Sequence, residues 1–165
     1  MTEVLYAVTD HIATITLDAH ERRNALSVEM SHELIDAART AEGDDSVGAV
    51  IVTGGQHFCA GAVRGVLADV GSDPVEDGAY RDLETVYRAF TTIGTIGLPT
   101  IAAVRGAAVG AGLNPAMATD LRIVSTTARL LPGFAQIGIH PGGGHPSPAP
   151  PHGRPRDRSR DGSLR

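Results

Sequence analysis

Short apolar runs alternate with segments of helical periodicity along this chain, and this alternation restricts the fold more than any other sequence feature. Residues 47–53 and 100–104 are nearly all apolar, as expected of strands covered on both faces. Between them, Leu83, Val86 or Tyr87, Phe90 and Ile93 recur at three- and four-residue spacing, which predicts a helix over residues 80–93. The alternation of strands and helices predicts an α/β fold with a buried sheet.

The flanking segments extend this pattern. Residues 4–8 and 13–17 are β-branched and apolar runs on either side of a polar turn, which predicts a hairpin. Ser27 is placed to cap a helix over residues 28–42. Two further strands are predicted, and two segments are assigned to a loop and a turn. The strands cover residues 121–125 and 128–131; the acidic loop covers 65–79, and a turn of small residues covers 106–112 and leads into a short helix.

Composition changes sharply near His145. The chain has 165 residues, an ordinary length for one domain. Residues 1–145 hold 9 Arg and 17 acidic residues, a net charge of −8, whereas residues 146–165 hold 5 Arg and 2 acidic residues, a net charge of +3. Five of the ten prolines also lie in this last part. We therefore predict a folded core over residues 1–145 and a Pro/Arg-rich disordered tail over residues 146–165.

Several functional classes are disfavoured by the residue usage. The net charge of −5 and the absence of Lys argue against a nucleic-acid partner. No apolar run approaches the roughly 20 residues of a membrane span, so no membrane partner is expected. Cys59 is the only cysteine, which excludes an internal disulfide and favours a reducing, cytoplasmic setting. The histidines near the tail have no metal-ligand spacing, so no metal site is predicted.

Two turns carry small residues where polar ones are usual: residues 58–62 and residues 106–112. Small side chains allow a ligand to approach the backbone, and two converging amides would form an oxyanion hole. Tight helix-to-sheet packing explains the same residues equally well. Neither turn matches a dinucleotide-binding or P-loop motif. Cys59 is either a nucleophile or, more commonly for a lone Cys, a small buried hydrophobe.

Five segments occur in the order and spacing of the enoyl-CoA hydratase/isomerase (crotonase) family, which the chain resembles over about 140 residues. They are Arg22-Arg23-Asn24-Ala25-Leu26-Ser27, Phe58-Cys59-Ala60-Gly61-Ala62, residues 99–112, Asp120-Leu121-Arg122-Ile123, and residues 138–144. The resemblance implies an α/β spiral of ββα units. It also implies acyl-CoA substrates, with coenzyme A present as part of the thioester and no permanently bound cofactor. A homotrimer or hexamer is the usual assembly of this family.

The resemblance also assigns site residues. It implies an oxyanion hole made by the backbone N–H groups of Ala62 and Ala111. It further implies a coenzyme A path along Arg22, Arg23, Asn24, Ala25, Leu26, Ala60 and Gly61. Either of the two arginines could meet a CoA phosphate, or be a solvated surface arginine.

The chain departs from the family at the residues that carry proton transfer. Hydratases place two Glu around the substrate double bond, and the matching positions here are Asn114 and Phe134. Neither side chain exchanges a proton near neutral pH. The sequence therefore leaves three alternatives: an enoyl-CoA hydratase or isomerase of fatty-acid β-oxidation, an inactive acyl-CoA-binding pseudoenzyme or remnant, or a different reaction that uses acids from residues 69–77. Val63 and Arg64 also replace the Asp that usually follows Ala-Gly-Ala.

The last segment also departs from the family. A family member would continue past residue 145 with a helical C-terminal region that covers the acyl pocket and packs in the trimer. We expect this region to be missing, which puts the family's assembly in question for this chain. A frameshift is one explanation, because codons compatible with residues 148–165 can be read one base later as a family-like helix. A genuine disordered tail is the alternative.

Overall fold

The structure is a computed structural model that describes residues 2–63 and 77–133. The tail prediction for residues 146–165 therefore lies outside the described residues. In chain order, the elements are β1 (Val4–Thr9), β2 (Ile12–Leu17), α1 (Val28–Gly43), β3 (Ala49–Thr53), α2 (Asp77–Thr95), β4 (Thr100–Val104), β5 (Ala107–Val109), α3 (Asn114–Ala118), β6 (Leu121–Val124) and β7 (Arg129–Leu131). Two 3-10 turns cover His20–Arg22 and Gly110–Leu113.

Five of these strands form the main sheet, in the order β1-β2-β3-β4-β6. The predicted hairpin is confirmed: β1 and β2 are antiparallel. Its two turn residues, Asp10 and His11, have φ of 50° and 64°, as the tight hairpin turns that match strand twist require. The other neighbouring pairs are parallel. Parallel pairing requires crossover connections, and α1 and α2 supply two of them.

The short segments that follow the long strands pair with one another in a second, smaller layer. β5 pairs with β7, and single bridges join Cys59 to Ala108 and Leu26 to Ala62. Each long strand from β2 onward is thus followed by a short segment in this second layer. That repeated path is the spiral architecture that the family resemblance implied.

The buried core lies between the main sheet and the two long helices. Ser27 caps α1 as predicted, since its Oγ accepts a hydrogen bond of 3.0 Å from the Met30 N–H. Leu34 of α1 and Phe90 of α2 are buried, as are Ile15 and Val52 of the sheet. Helices α1 and α2 pack against each other, and the residues they bury belong to the same core. No helix among the described residues is long and apolar enough to cross a membrane.

Two assignments made from the sequence are wrong. Helix α2 begins at Asp77, so residues 77–79 are helical although their acidic and glycine-containing sequence favoured a loop. Residues 107–109 form strand β5 within the segment assigned to a turn. This strand lies between two glycines with positive φ, Gly106 at 54° and Gly110 at 53°. Glycine adopts this backbone conformation without penalty, so the chain turns sharply at both ends of a three-residue strand.

Candidate active site

The two small-residue turns meet in the fold, and Gly112 is the point of contact. A Cβ atom placed on Gly112 would lie 2.4 Å from the Cys59 carbonyl oxygen and 2.7 Å from the Gly61 nitrogen. Real Cβ atoms do not approach backbone atoms this closely, so only glycine fits here. Ala111 and Ala62 are the neighbours of the two contacting glycines. The fold therefore brings the backbone of both predicted oxyanion residues to one place.

The N–H groups of Ala62 and Ala111 are available at this place. In the segment around Ala62, the N–H groups of Cys59, Ala60 and Val63 donate to backbone carbonyls at 2.9, 3.0 and 2.9 Å. Within the described residues, the Ala62 N–H makes no such bond. Ala111 is the second residue of a 3-10 turn, where N–H groups have no partner inside the turn. Two unpaired backbone donors thus lie on adjacent segments.

Asn24 attaches the turn before α1 to the loop that leads into residues 58–62. Its side chain is 0% exposed. Its Oδ1 accepts from the Ala19 N–H at 2.8 Å, and its Nδ2 donates to the carbonyls of Gly54 and His57 at 2.8 and 2.7 Å. The sequence resemblance placed Asn24 on the coenzyme A path. These polar atoms are already used within the chain, and the backbone of Asn24 is used as well: its N–H donates to the Ala19 carbonyl at 2.9 Å and its carbonyl accepts from Cys59 Sγ.

The two arginines of this turn differ in availability. The Arg22 guanidinium donates to the Ala25 carbonyl at 2.9 Å and to the Ser27 hydroxyl at 3.2 Å, and it forms an ion pair with Glu3. This pair raises the pKa of Arg22 and lowers the pKa of Glu3. Arg23 is exposed, and its side chain has no partner within the described part of the chain. Of the two candidates for a CoA phosphate, Arg23 is therefore the guanidinium that is available.

Glu3 is a residue of this region that sequence reasoning missed. Its carboxylate accepts from the Ser27 hydroxyl at 2.8 Å in addition to pairing with Arg22. Both partners lie about twenty residues away along the chain, so no local spacing could have revealed the contact. Glu3 joins the start of β1 to the turn that precedes α1.

The structure supports the second alternative for Cys59, that of a buried small side chain. Its Sγ donates to the Asn24 carbonyl at 2.8 Å. Burial raises the pKa of Cys59 to about 12. A thiol that stays protonated at neutral pH is a poor nucleophile.

Asn114, the residue at the first Glu position of the family, lies close to the Ala111 amide. Its own N–H donates to the Ala111 carbonyl, which closes the 3-10 turn. The side chain is 4% exposed, and its Nδ2 makes no hydrogen bond within the described residues. Pro115 occupies the first turn of α3, where a missing N–H is tolerated.

Four other residues predicted to lie on the coenzyme A path are also found in this region. Ala25 and Ala60 are half-buried, whereas Leu26 and Gly61 are buried. The Leu26 N–H donates to the Gly61 carbonyl at 2.7 Å, so these residues form one continuous wall beside Ala62.

Several residues predicted from the sequence to serve the site lie outside the part of the chain that the structure describes. Phe134, Arg64, residues 69–76 and residues 138–144 lie outside the described residues, and so does the side chain of Asp77. No group of three metal-ligating side chains is found in residues 2–63 and 81–133.

The sequence pattern of the enoyl-CoA hydratase/isomerase family matches residues 8–148. The chain belongs to this family. It is 48% identical over 142 residues to a Mycobacterium tuberculosis protein named as a probable enoyl-CoA hydratase, EchA14, covering 86% of this chain and 54% of that protein. It is 36% identical over 135 residues to 4-chlorobenzoyl coenzyme A dehalogenase-2 of Arthrobacter sp, covering 79% of this chain and 48% of that protein.

Solved structures of the same family share the fold. The enoyl-CoA hydratase from Bacillus halodurans superposes with a TM-score of 0.80 at 28% identity, over 87% of this chain and 58% of that one. The enoyl-CoA hydratase from Polaromonas sp. JS666 superposes with a TM-score of 0.78 at 30% identity, over 86% of this chain and 55% of that one. The crotonase fold expected from the sequence is confirmed. The chain spans about half the length of these relatives.

Proposed function

We propose that this chain binds acyl-CoA thioesters and holds the thioester carbonyl oxygen on the backbone N–H groups of Ala62 and Ala111. The contact of Gly112 with Gly61 carries this proposal, because it brings two unpaired backbone donors onto adjacent segments. Preorganised backbone donors stabilise the negative charge that develops on such an oxygen. Family membership supports the thioester as the ligand.

The coenzyme A part would lie along the turn before α1. The half-buried Ala25 and Ala60 offer small side chains to a bound nucleotide arm, and the buried Leu26 and Gly61 would support them from behind. The Arg23 guanidinium is free to meet a phosphate, and such charge-assisted contacts are among the stronger hydrogen bonds. Coenzyme A would enter only as part of the substrate, without a permanently bound cofactor.

Hydration of the double bond requires more than this oxygen site. It needs a base to activate water and an acid to protonate the α-carbon, each of which contributes about 10²- to 10⁴-fold. Asn114 supplies neither, because an amide does not exchange protons near neutral pH. We therefore propose an acyl-CoA-binding protein with little or no hydratase activity. An active hydratase or isomerase, with its acid and base elsewhere, is the second candidate, and the names of the relatives favour it.

Measuring both the binding and the hydration of one thioester distinguishes an acyl-CoA-binding protein from an active hydratase or isomerase. We expect the purified chain to bind crotonyl-CoA but to hydrate it at least about a hundredfold more slowly than a family member with both Glu residues. Hydration at a normal family rate would favour the second candidate. Absence of binding would contradict both. The double variant Asn114→Glu with Phe134→Glu, made in a chain extended with a family C-terminal region, is expected to recover part of the rate.

We also propose a cytoplasmic setting, supported by the single, buried thiol of Cys59. We propose that the chain assembles as a trimer or hexamer, as is usual in this family. Exposed apolar side chains on β6, Leu121 and Ile123, are surface that an assembly could cover.

A further inference from the structure

The side-chain amide of Asn114 is an exception among the buried polar groups of this fold. Nearly all buried donors in proteins have a hydrogen-bond partner, and an exception calls for an explanation such as a bound ligand. In residues 2–63 and 81–133, the only buried side-chain atoms without a partner are Asn114 Nδ2 and the Tyr6 hydroxyl. The amide is more than nine-tenths buried, so bulk water does not satisfy it.

The position of Asn114 relates this amide to the proposed oxygen site. Asn114 lies three residues after Ala111 in a 3-10 turn closed by the hydrogen bond from the Asn114 N–H to the Ala111 carbonyl. Side chains three residues apart eclipse one another in such a turn, so Asn114 and Ala111 share one side of it. Helical side chains also lean toward the N-terminal end, which is the end where the unpaired Ala111 N–H lies.

The polarity of this group then restricts the acyl chain. A Glu at this position offers a proton acceptor, whereas the Nδ2 of Asn114 offers a donor and cannot accept. An apolar acyl chain would leave that donor unpaired, which is unfavourable in a dry site. An acyl group with an acceptor oxygen near the thioester would pair with it.

We propose that Asn114 is a specificity-determining residue that selects acyl-CoA thioesters with a carbonyl oxygen on the third carbon of the acyl chain. The inference rests on the proposed function, since it assumes that a thioester occupies this site. The thioester oxygen would accept from Ala62 and Ala111, and the second carbonyl oxygen would accept from Asn114. The ligand class is therefore the 3-oxoacyl thioester, in contrast to a saturated or 2-enoyl thioester.

Calorimetric titration with a matched pair of probes tests this assignment. The probes are butyryl-CoA and 3-oxobutyryl-CoA, which differ by one oxygen, and the proteins are the native chain, Asn114→Leu and Asn114→Asp. We expect the native chain to bind 3-oxobutyryl-CoA more tightly, with the ratio of affinities falling about 5- to 50-fold in Asn114→Leu. Asn114→Asp, which keeps the shape but loses the donor, should lose the preference as well.

The Tyr6→Phe variant is the control. It removes the other unpartnered buried group, on the edge strand β1 of the main sheet, and should leave the ratio unchanged. A ratio that stays the same in Asn114→Leu overturns the assignment of Asn114, as does a native chain that binds both probes equally. Failure of the native chain to bind either probe would instead contradict the proposed function. If Asn114→Leu does not fold, the native ratio and Asn114→Asp still decide the question.

Discussion

Asn24 Nδ2 lies 2.7 Å from the carbonyl oxygen of His57, and this bond joins two turns that are 33 residues apart. The first turn leads into α1, and the second leads into the segment that contains Ala62. Because the same side chain also binds Ala19 and Gly54, Asn24 holds the turn before α1 against the loop that leads to Ala62.

Removing this side chain should therefore destabilise the fold. Asn24→Ala would leave several buried backbone groups without partners, and we expect a loss of about 2–4 kcal/mol in the free energy of unfolding. Urea denaturation measures it. The control is Thr40→Ala, which removes an exposed hydrogen bond within α1 and should change stability by less than about 0.5 kcal/mol. An Asn24→Ala variant as stable as this control would show that the network contributes little.

The contact at Gly112 gives a sharper steric prediction. In Gly112→Ala, the new Cβ would meet the carbonyl oxygen of Cys59, so the two segments must move apart. We expect acyl-CoA binding to be lost and unfolding to occur at lower denaturant concentration. Gly43→Ala is the matched control, because nothing lies within 4 Å of a Cβ at Gly43. That control should be neutral or stabilising by up to about 1 kcal/mol. Unchanged thioester affinity in Gly112→Ala would contradict the contact.

Cys59 should resist thiol reagents while the chain is folded. Its side chain is buried and its pKa is raised to about 12, so almost no thiolate exists at pH 8. We expect labelling by an aromatic disulfide reagent to be slow in buffer and fast in urea. The fast reaction in urea is the internal control. Rapid stoichiometric labelling of the native chain would show that the thiol is accessible and ionised.

The ion pair between Glu3 and Arg22 predicts how stability depends on pH. Since the pKa of Glu3 is lowered in the folded chain, its carboxylate stabilises the fold above the ordinary Glu pKa of about 4.3. That contribution is lost as pH falls through the lowered folded-state pKa. Glu3→Gln should therefore be less stable than the native chain at pH 7. The difference between their free energies of unfolding should disappear in acid. Glu84→Gln, which changes an exposed carboxylate, serves as the control. If the stability difference between Glu3→Gln and the native chain does not change with pH, the ion pair does not stabilise the fold as described.

Some elements of the fold could be predicted from the sequence, and others could not. The hairpin and helix α1 follow from local signals: alternating apolar runs, a polar turn and the Ser27 cap. The start of α2 was missed because the acidic, glycine-containing residues 77–79 favour a loop, and β5 was missed because its three small residues lie between Gly106 and Gly110.

The candidate site is formed by contacts between segments that are far apart along the chain, and the spacing of residues in the sequence does not predict such contacts. Gly112 and Gly61 are far apart along the chain, and only the resemblance to a family placed their neighbours in one site. The partners of Asn24 and Arg22 were equally hidden. A buried Asn and a paired Arg look the same in the sequence as residues that bind a ligand.

The central claim is that two backbone amides hold a thioester oxygen, and binding of a ligand that lacks this oxygen tests it most directly. Butyryl-CoA and S-butyl-CoA, the corresponding thioether, share the coenzyme A part and the chain length. If Ala62 and Ala111 donate to the carbonyl, butyryl-CoA should bind about tenfold or more tightly than the thioether. Equal affinity for both compounds would contradict the account.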